Sequence, residues 1–157
     1  MAALAWGAAA QTSLEYPVKA SYLVRFAAFA AWPDNAFQSD APLVICVVGQ
    51  DPFGPILDRA AAAQTANGRA LAVRRPDSSD LAGCHIAYLG RDAVAPATPL
   101  PSLLLVTDET VAARRGAIHF VIVQGRVRFH IDQRQTRAAG VGLNSRLLGL
   151  ALSVRGE

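Results

Sequence analysis

Six consecutive apolar residues, Leu43-Val44-Ile45-Cys46-Val47-Val48, stand between Pro42 and Gly49. A strand with one face in water alternates polar and apolar side chains. An unbroken run therefore predicts a strand covered on both faces, as in the centre of a parallel sheet. Such a strand needs neighbours on both edges and packing on both sides. With 157 residues, 52% of them hydrophobic, the chain can bury one core of this kind but not a second of similar size.

The flanking segments supply the other layers. Pro17 suits the first turn of a helix and Pro33 cannot continue one, which predicts a helix over 17–31 with Val18, Tyr22, Phe26 and Phe29 along one face. At helical spacing such an aromatic stripe reads as core. Asp51-Pro52 opens a second helix over 53–65, which runs into the left-handed stop signal Asn67-Gly68. Further strands are expected at 70–75, 85–90 and 102–106, and the three prolines between Ala93 and Pro101 mark a loop. The alternation of helix and strand predicts an α/β fold: a mixed sheet, with parallel core strands and a C-terminal antiparallel hairpin, flanked by helices.

That hairpin is the clearest local signal. Ile118–Val123 and Arg126–Ile131 are separated by Gln124-Gly125, a two-residue loop. Such a loop sets Ile118, Phe120 and Ile122 opposite Ile131, Phe129 and Val127 on an apolar face. The other face carries His119 opposite His130 and Val121 opposite Arg128, with Arg126 next along the strand. His119, Arg126, Arg128 and His130 are thus the one ionisable cluster that sequence geometry itself assembles, a candidate face for an anion or for a partner's acidic surface. The alternative reading is the solvated face of an edge hairpin, with charge discouraging further strand pairing. Downstream, Asp132–Ala139 is expected to form a helical turn closed by Gly140, and Asn144 to cap a last helix carrying Leu147, Leu148 and Leu150.

Composition excludes several classes. Fifteen basic and twelve acidic residues leave a net charge of +3, and the basic residues are scattered except for Arg74-Arg75 and Arg114-Arg115. A nucleic-acid surface would cluster them with stacking aromatics, so no nucleic-acid partner is expected. Arg25, Pro33 or glycines interrupt every apolar run before the roughly 18 residues that cross a bilayer, so no membrane span is expected either. Residues 1–13 are small and apolar up to Ala8-Ala9-Ala10, which reads as a signal-peptide remnant or an alanine-rich leader, with one domain over 14–157. Gly49-Gln50-Asp51-Pro52-Phe53-Gly54 lacks the Lys-Ser/Thr of a phosphate loop and the third glycine of a dinucleotide fingerprint, and reads as a tight strand-to-helix turn. No G-x-S-x-G or H-E-x-x-H is present, and two facing histidines with no assured third ligand do not make a metal site. No catalytic residue, metal or cofactor is assigned.

Cys46 and Cys84 both fall in or at the start of expected strands. In a reducing compartment they are small buried hydrophobes; in an exported protein an even pair is bridged.

Several pieces of the chain, taken in order, resemble the YfiR family of bacterial periplasmic regulators. They are Glu15-Tyr16-Pro17-Val18-Lys19-Ala20, Tyr22-Leu23, Phe26, Trp32-Pro33, Ile45-Cys46-Val47-Val48-Gly49, Asp51-Pro52-Phe53-Gly54, Cys84-His85-Ile86, Gly116-Ala117-Ile118-His119-Phe120, Val127-Arg128-Phe129-His130-Ile131-Asp132 and Leu143-Asn144-Ser145-Arg146-Leu147-Leu148. The likeness covers about residues 14–154. It implies an α/β domain in the periplasm and an inhibitory role, in which the protein holds the periplasmic sensory domain of a membrane-bound diguanylate cyclase and so lowers cyclic di-GMP and biofilm formation. It also implies that Cys46 and Cys84 form the family disulfide, and a second C-terminal cysteine pair found in some members is missing here. The different-class alternative is a periplasmic small-molecule sensor acting on another signalling protein. A homodimer and a small ligand stay open as further partners, and exposed aromatics flanking Trp32 are a second candidate surface.

Overall fold

The structure, a computed structural model, describes residues 3–77, 80–111 and 114–156, with the backbone alone for 3–13. The elements run α1 (Ala3–Phe29), β1 (Ala30–Ala31), β2 (Leu43–Val48), α2 (Pro55–Ala62), β3 (Thr65–Ala66), β4 (Arg69–Arg74), β5 (Ile86–Leu89), β6 (Leu104–Thr107), β7 (Ile118–Val123), β8 (Arg126–Asp132), α3 (Gln133–Ala139), β9 (Gly142–Leu143), α4 (Ser145–Leu150) and β10 (Ser153–Arg155), with a 3-10 turn at Asp34–Ala36. The expected leader over 1–13 falls on residues whose side chains lie outside this description.

Eight strands form one mixed sheet in the order β10-β8-β7-β6-β5-β2-β4-β3, and β1 pairs separately with β9. The strands β4, β2, β5, β6 and β7 are mutually parallel. The apolar run occupies β2, an interior strand of this group between β5 and β4, and its side chains divide by parity. Leu43, Ile45 and Val47 enter the larger core, whereas Cys46 and Val48 enter a second cluster on the opposite face. This division explains why no polar residue interrupts the run.

The larger core lies between the sheet and the helices. Phe26 of α1 packs on Phe120 and Phe129 at centroid distances of 5.8 and 5.2 Å. Leu57 of α2, Ala139 of α3 and Leu147 of α4 join the same cluster. On the other face, residues from the loops after β5 and β6, Ala93, Ala95 and Val111, cover Cys46, Val48, Cys84, Ala87 and Leu89.

Four expectations need correction. Pro17 lies inside α1 rather than at its start, so the helix continues past a residue that has no N–H to give. The second helix is the shorter α2, because Asn67 and Gly68, with φ of 52° and 80°, turn the chain into the β3–β4 hairpin instead of stopping a helix. Trp32 is itself buried, its indole N–H donating to the His85 carbonyl, and of the aromatics near it Phe37 is half-buried rather than fully open. Finally, β7 and β8 are not a sheet edge: β6 lies beyond β7, and β10 pairs with β8 in parallel.

Candidate functional site

The β7–β8 register is the expected one, with Phe120 opposite Phe129, His119 opposite His130 and Val123 opposite Arg126. Gln124 and Gly125 have φ of 51° and 75°, the two positive values that a tight hairpin turn requires. Phe120, Phe129 and Ile131 are buried against α1, which holds the opposite face of β8 in a defined position.

That opposite face is less uniform than the sequence suggests. His119 is only 4% exposed, and its Nδ1 lies 2.8 Å from the Thr107 hydroxyl, which itself accepts from the Gly116 N–H. Burial, helped by the Arg115 charge, pushes its pKa down to about 4, so the side chain is a neutral structural group at neutral pH. His130 is half-buried and bonded through Nδ1 to the Ser153 hydroxyl of β10 at 2.6 Å. Its pKa is lowered by burial and by the nearby Arg115 and Arg155 guanidiniums. Arg128 is half-buried and Arg126 exposed. Arg126, Arg128 and His130 therefore remain on the open face. Arg115 and Arg155, brought in by the β6–β7 loop and by β10, extend it as a cationic surface, and the exposed Val123 borders it. Sequence reasoning missed these two arginines because they join the hairpin only through long-range pairing.

Cys46 and Cys84 form a disulfide with their Cα atoms 5.9 Å apart, on the loop-covered face. The bridge ties β2 to the segment entering β5. Closing a loop of this separation contributes about 4 kcal/mol by chain-entropy arithmetic.

A second polar group went unforeseen. Lys19, the single lysine of the chain, is 3% exposed and lies 2.7 Å from Glu15 and 3.0 Å from Asp108, itself 1% exposed. The Tyr88 hydroxyl donates to the same carboxylate, and the Thr110 N–H and hydroxyl donate to its other oxygen. Burial alone would raise the Asp108 pKa, but these hydrogen bonds and Lys19 outweigh it and hold the acid ionised. For Lys19, burial is likewise outweighed by its two carboxylates, and its pKa is raised. The pair pins α1 to the C-terminal end of β6, so its role is positional. Only the i,i+4 spacing of Glu15 and Lys19 was visible in the sequence.

Above this network lies a small polar cleft of about 210 Å³ lined by Tyr16, Gln50, Asp51, Tyr88, Arg91 and Thr110. It sits where the loops after β2 and β5 diverge, because β4 and β5 flank β2 on opposite sides, the place where open parallel sheets leave a crevice. The expected tight turn after β2 is present. Gly49 has φ of 81°, and a Cβ there would meet the Arg91 carbonyl oxygen at 2.6 Å. Asp51 accepts from the Phe53 N–H, and its other oxygen pairs with Arg75 at 2.7 Å, so the turn's own carboxylate occupies the place where an anion would dock. Among the described residues, no three His, Cys, Asp or Glu side chains converge as a metal site.

The profile of the YfiR/HmsC-like family matches residues 16–152, nearly the whole chain. The chain belongs to the YfiR/HmsC-like family. That membership gives it a regulatory role in cyclic di-GMP signalling, within a family that is periplasmic and regulatory rather than catalytic. No curated protein matches the chain. Among the described residues, no helix is long and apolar enough to cross a membrane.

Proposed function

We propose that this family member is a periplasmic repressor that binds the periplasmic sensory domain of an inner-membrane diguanylate cyclase and holds it inactive, lowering cyclic di-GMP and biofilm formation. The supporting observation is the open face of β8 and β10, where Arg126 and Arg128 share a strand face with His130 and the Arg115 and Arg155 charges act on that histidine. Such a repressor needs no catalytic group. It needs a surface whose affinity for the inactive partner exceeds that for the active one, and moving a partner from about 1:99 to 99:1 takes roughly 5.5 kcal/mol of that difference. The cationic face suits an acidic patch on the partner, with exposed Ile122 and Val123 at the hairpin tip as apolar anchors beside it.

The alternative, a small-molecule sensor, would place a ligand in a concavity against Arg128 and His130. The polar cleft described above lies elsewhere, at the β2 and β5 loops, and is lined by different residues. The test is capture of the purified periplasmic domain of a cyclase by the oxidised protein, compared with the Arg126→Glu/Arg128→Glu variant. The reading expects capture that weakens at least about tenfold in the variant and with rising salt. Capture indifferent to both changes would remove this face from the proposal.

A further inference from the structure

His85 entered the sequence reading only within Cys84-His85-Ile86, yet both of its ring nitrogens meet backbone partners. It is 7% exposed, at the point where the chain enters β5 next to the bridged Cys84. The Val44 N–H of β2 donates to Nδ1 at 3.0 Å. Nε2 lies 2.8 Å from the Ala36 carbonyl oxygen in the 3-10 turn. A backbone N–H can only donate and a carbonyl can only accept, so these partners dictate one neutral tautomer, with Nδ1 bare and the proton on Nε2. No arrangement of a doubly protonated ring keeps both bonds, because a proton on Nδ1 would point at the Val44 N–H.

The same ring carries the aromatic part of the Trp32–Phe37 segment. Phe37 stacks on it at 4.4 Å and 17°, and Trp32 meets it edge-on at 6.1 Å. Trp32 Nε1 donates to the His85 carbonyl, so the segment is attached to this one residue by ring contacts and by two hydrogen bonds. The charged neighbours do not favour an imidazolium. From β4, Arg69 lies over the far face of Phe37 at 4.0 Å, held there by the Ser39 and Ala41 carbonyls, and its charge opposes a second proton on His85. Asp80 lines the same cleft, but its Oδ1 accepts from the Ala82 N–H. The partners from β2, the 3-10 turn and β6 are backbone groups. Beside the ring, Asn35, Ala36, Cys84 and Leu103 form part of the wall of a cleft of about 530 Å³, so movement of the turn would widen an existing opening.

We infer that His85 is a proton-sensitive clasp: neutral, it ties the Trp32–Phe37 segment to β2 by accepting from the Val44 amide, and protonation breaks that tie, so that the ring and the segment bonded to it part from β2 while the sheet stays folded. Burial, the main cause, lowers the pKa of His85 below its ordinary 6.5, so the clasp is shut at neutral pH and opens only on the acid side of that value. In a protein acting outside the cytoplasm, ambient acidity would then change a surface that includes Phe37 and the rim of the cleft. The clasp does not depend on the repressor reading.

The experiment is nitrogen-15 NMR of the histidine rings together with amide hydrogen exchange, on the wild type and on His85→Asn. The Asn Oδ1 can take the acceptor position of Nδ1 but does not titrate. At about pH 7 the His85 resonances should report a bare Nδ1 and a protonated Nε2. Lowering the pH to about 5 should reduce the protection factor of the Val44 amide at least about tenfold, with the amides of β6 unchanged. The same acid step should leave Val44 protection flat in His85→Asn. A proton on Nδ1 at neutral pH would overturn the inference, as would an equal acid loss in His85→Asn. A loss centred on β6–β8 would assign the effect to His119 and overturn it too. If the variant does not fold, the ring resonances and the residue-by-residue exchange of the wild type still decide.

Discussion

The two faces of the central sheet are stabilised by different means. On one, α1 lays Phe26 and Leu23 over Phe120, Phe129 and Ile45, and area and shape provide the stability. On the other, loops cover a smaller cluster without aromatic rings, Val48, Ala87, Leu81, Leu89, Leu103 and Leu105, and a disulfide crosses it. Where helices bury large side chains, no cross-link is needed. Where loops bury a smaller cluster, a covalent tie offsets the missing area. The helix-covered face also contains the cost of a buried ion pair, Lys19–Asp108, which is tolerable because Glu15, Tyr88 and Thr110 fill the remaining hydrogen-bonding positions.

The largest effects should come from breaking the helix-covered side. Phe129→Ala removes a fully buried ring and should lower the unfolding free energy by about 3–5 kcal/mol, measured by denaturant titration. Lys19→Met strands Asp108 in the interior, and a loss of about 3–5 kcal/mol is expected, with a partial return when Asp108→Asn is added. On the loop-covered side, Cys46→Ala/Cys84→Ala should cost about 2–4 kcal/mol with the sheet still formed, by the same measurement. A double variant that costs more than Phe129→Ala would reverse the contrast between the faces.

Smaller effects sharpen it. The folded pKa of His119 is depressed from 6.5 to about 4, so its neutral form contributes stability in full above about pH 6.5. As the pH falls, the unfolded chain takes up that proton first, and the contribution is lost progressively towards pH 4. His119→Gln should flatten that part of the stability profile, as thermal melts across the range would show. Smallest of all, Arg126→Glu/Arg128→Glu should change stability within about 0.5 kcal/mol, because Arg126 is exposed, Arg128 is only half-buried and neither takes part in an ion pair among the described residues. Loss of fold in this variant would mean that the cationic face is structural.

Local patterns carried much of this fold. The two-sided burial of Leu43–Val48, the Gln124-Gly125 turn, the Asn144 cap and the left-handed Gly140 each depend on residues a few positions apart, and each appears where the sequence places it, whereas the capping role of Asp132, expected only as the first residue of the helical turn, emerged from the structure. The hairpin register followed from the turn alone. What the hairpin faces did not follow. His119 and His130 look equivalent as a cross-strand pair, but one is packed under the β6–β7 loop against Thr107 and the other is bonded to Ser153. The disulfide between Cys46 and Cys84 is what the family resemblance implied, whereas the residues alone left free thiols open.

By itself, then, the sequence determined the α/β class, the central strand, the hairpin and its register, and the family, since these rest on periodicity, turn chemistry and ordered motifs. Only the tertiary structure decided which histidines are surface groups, that β10 closes the edge beyond β8, that the single lysine lies in the core with Asp108, and that His85 holds the Trp32–Phe37 segment. Burial and partner choice depend on which distant segments meet. Lys19 and Asp108 are 89 residues apart and His85 and Ala36 are 49 apart, separations at which no local rule acts.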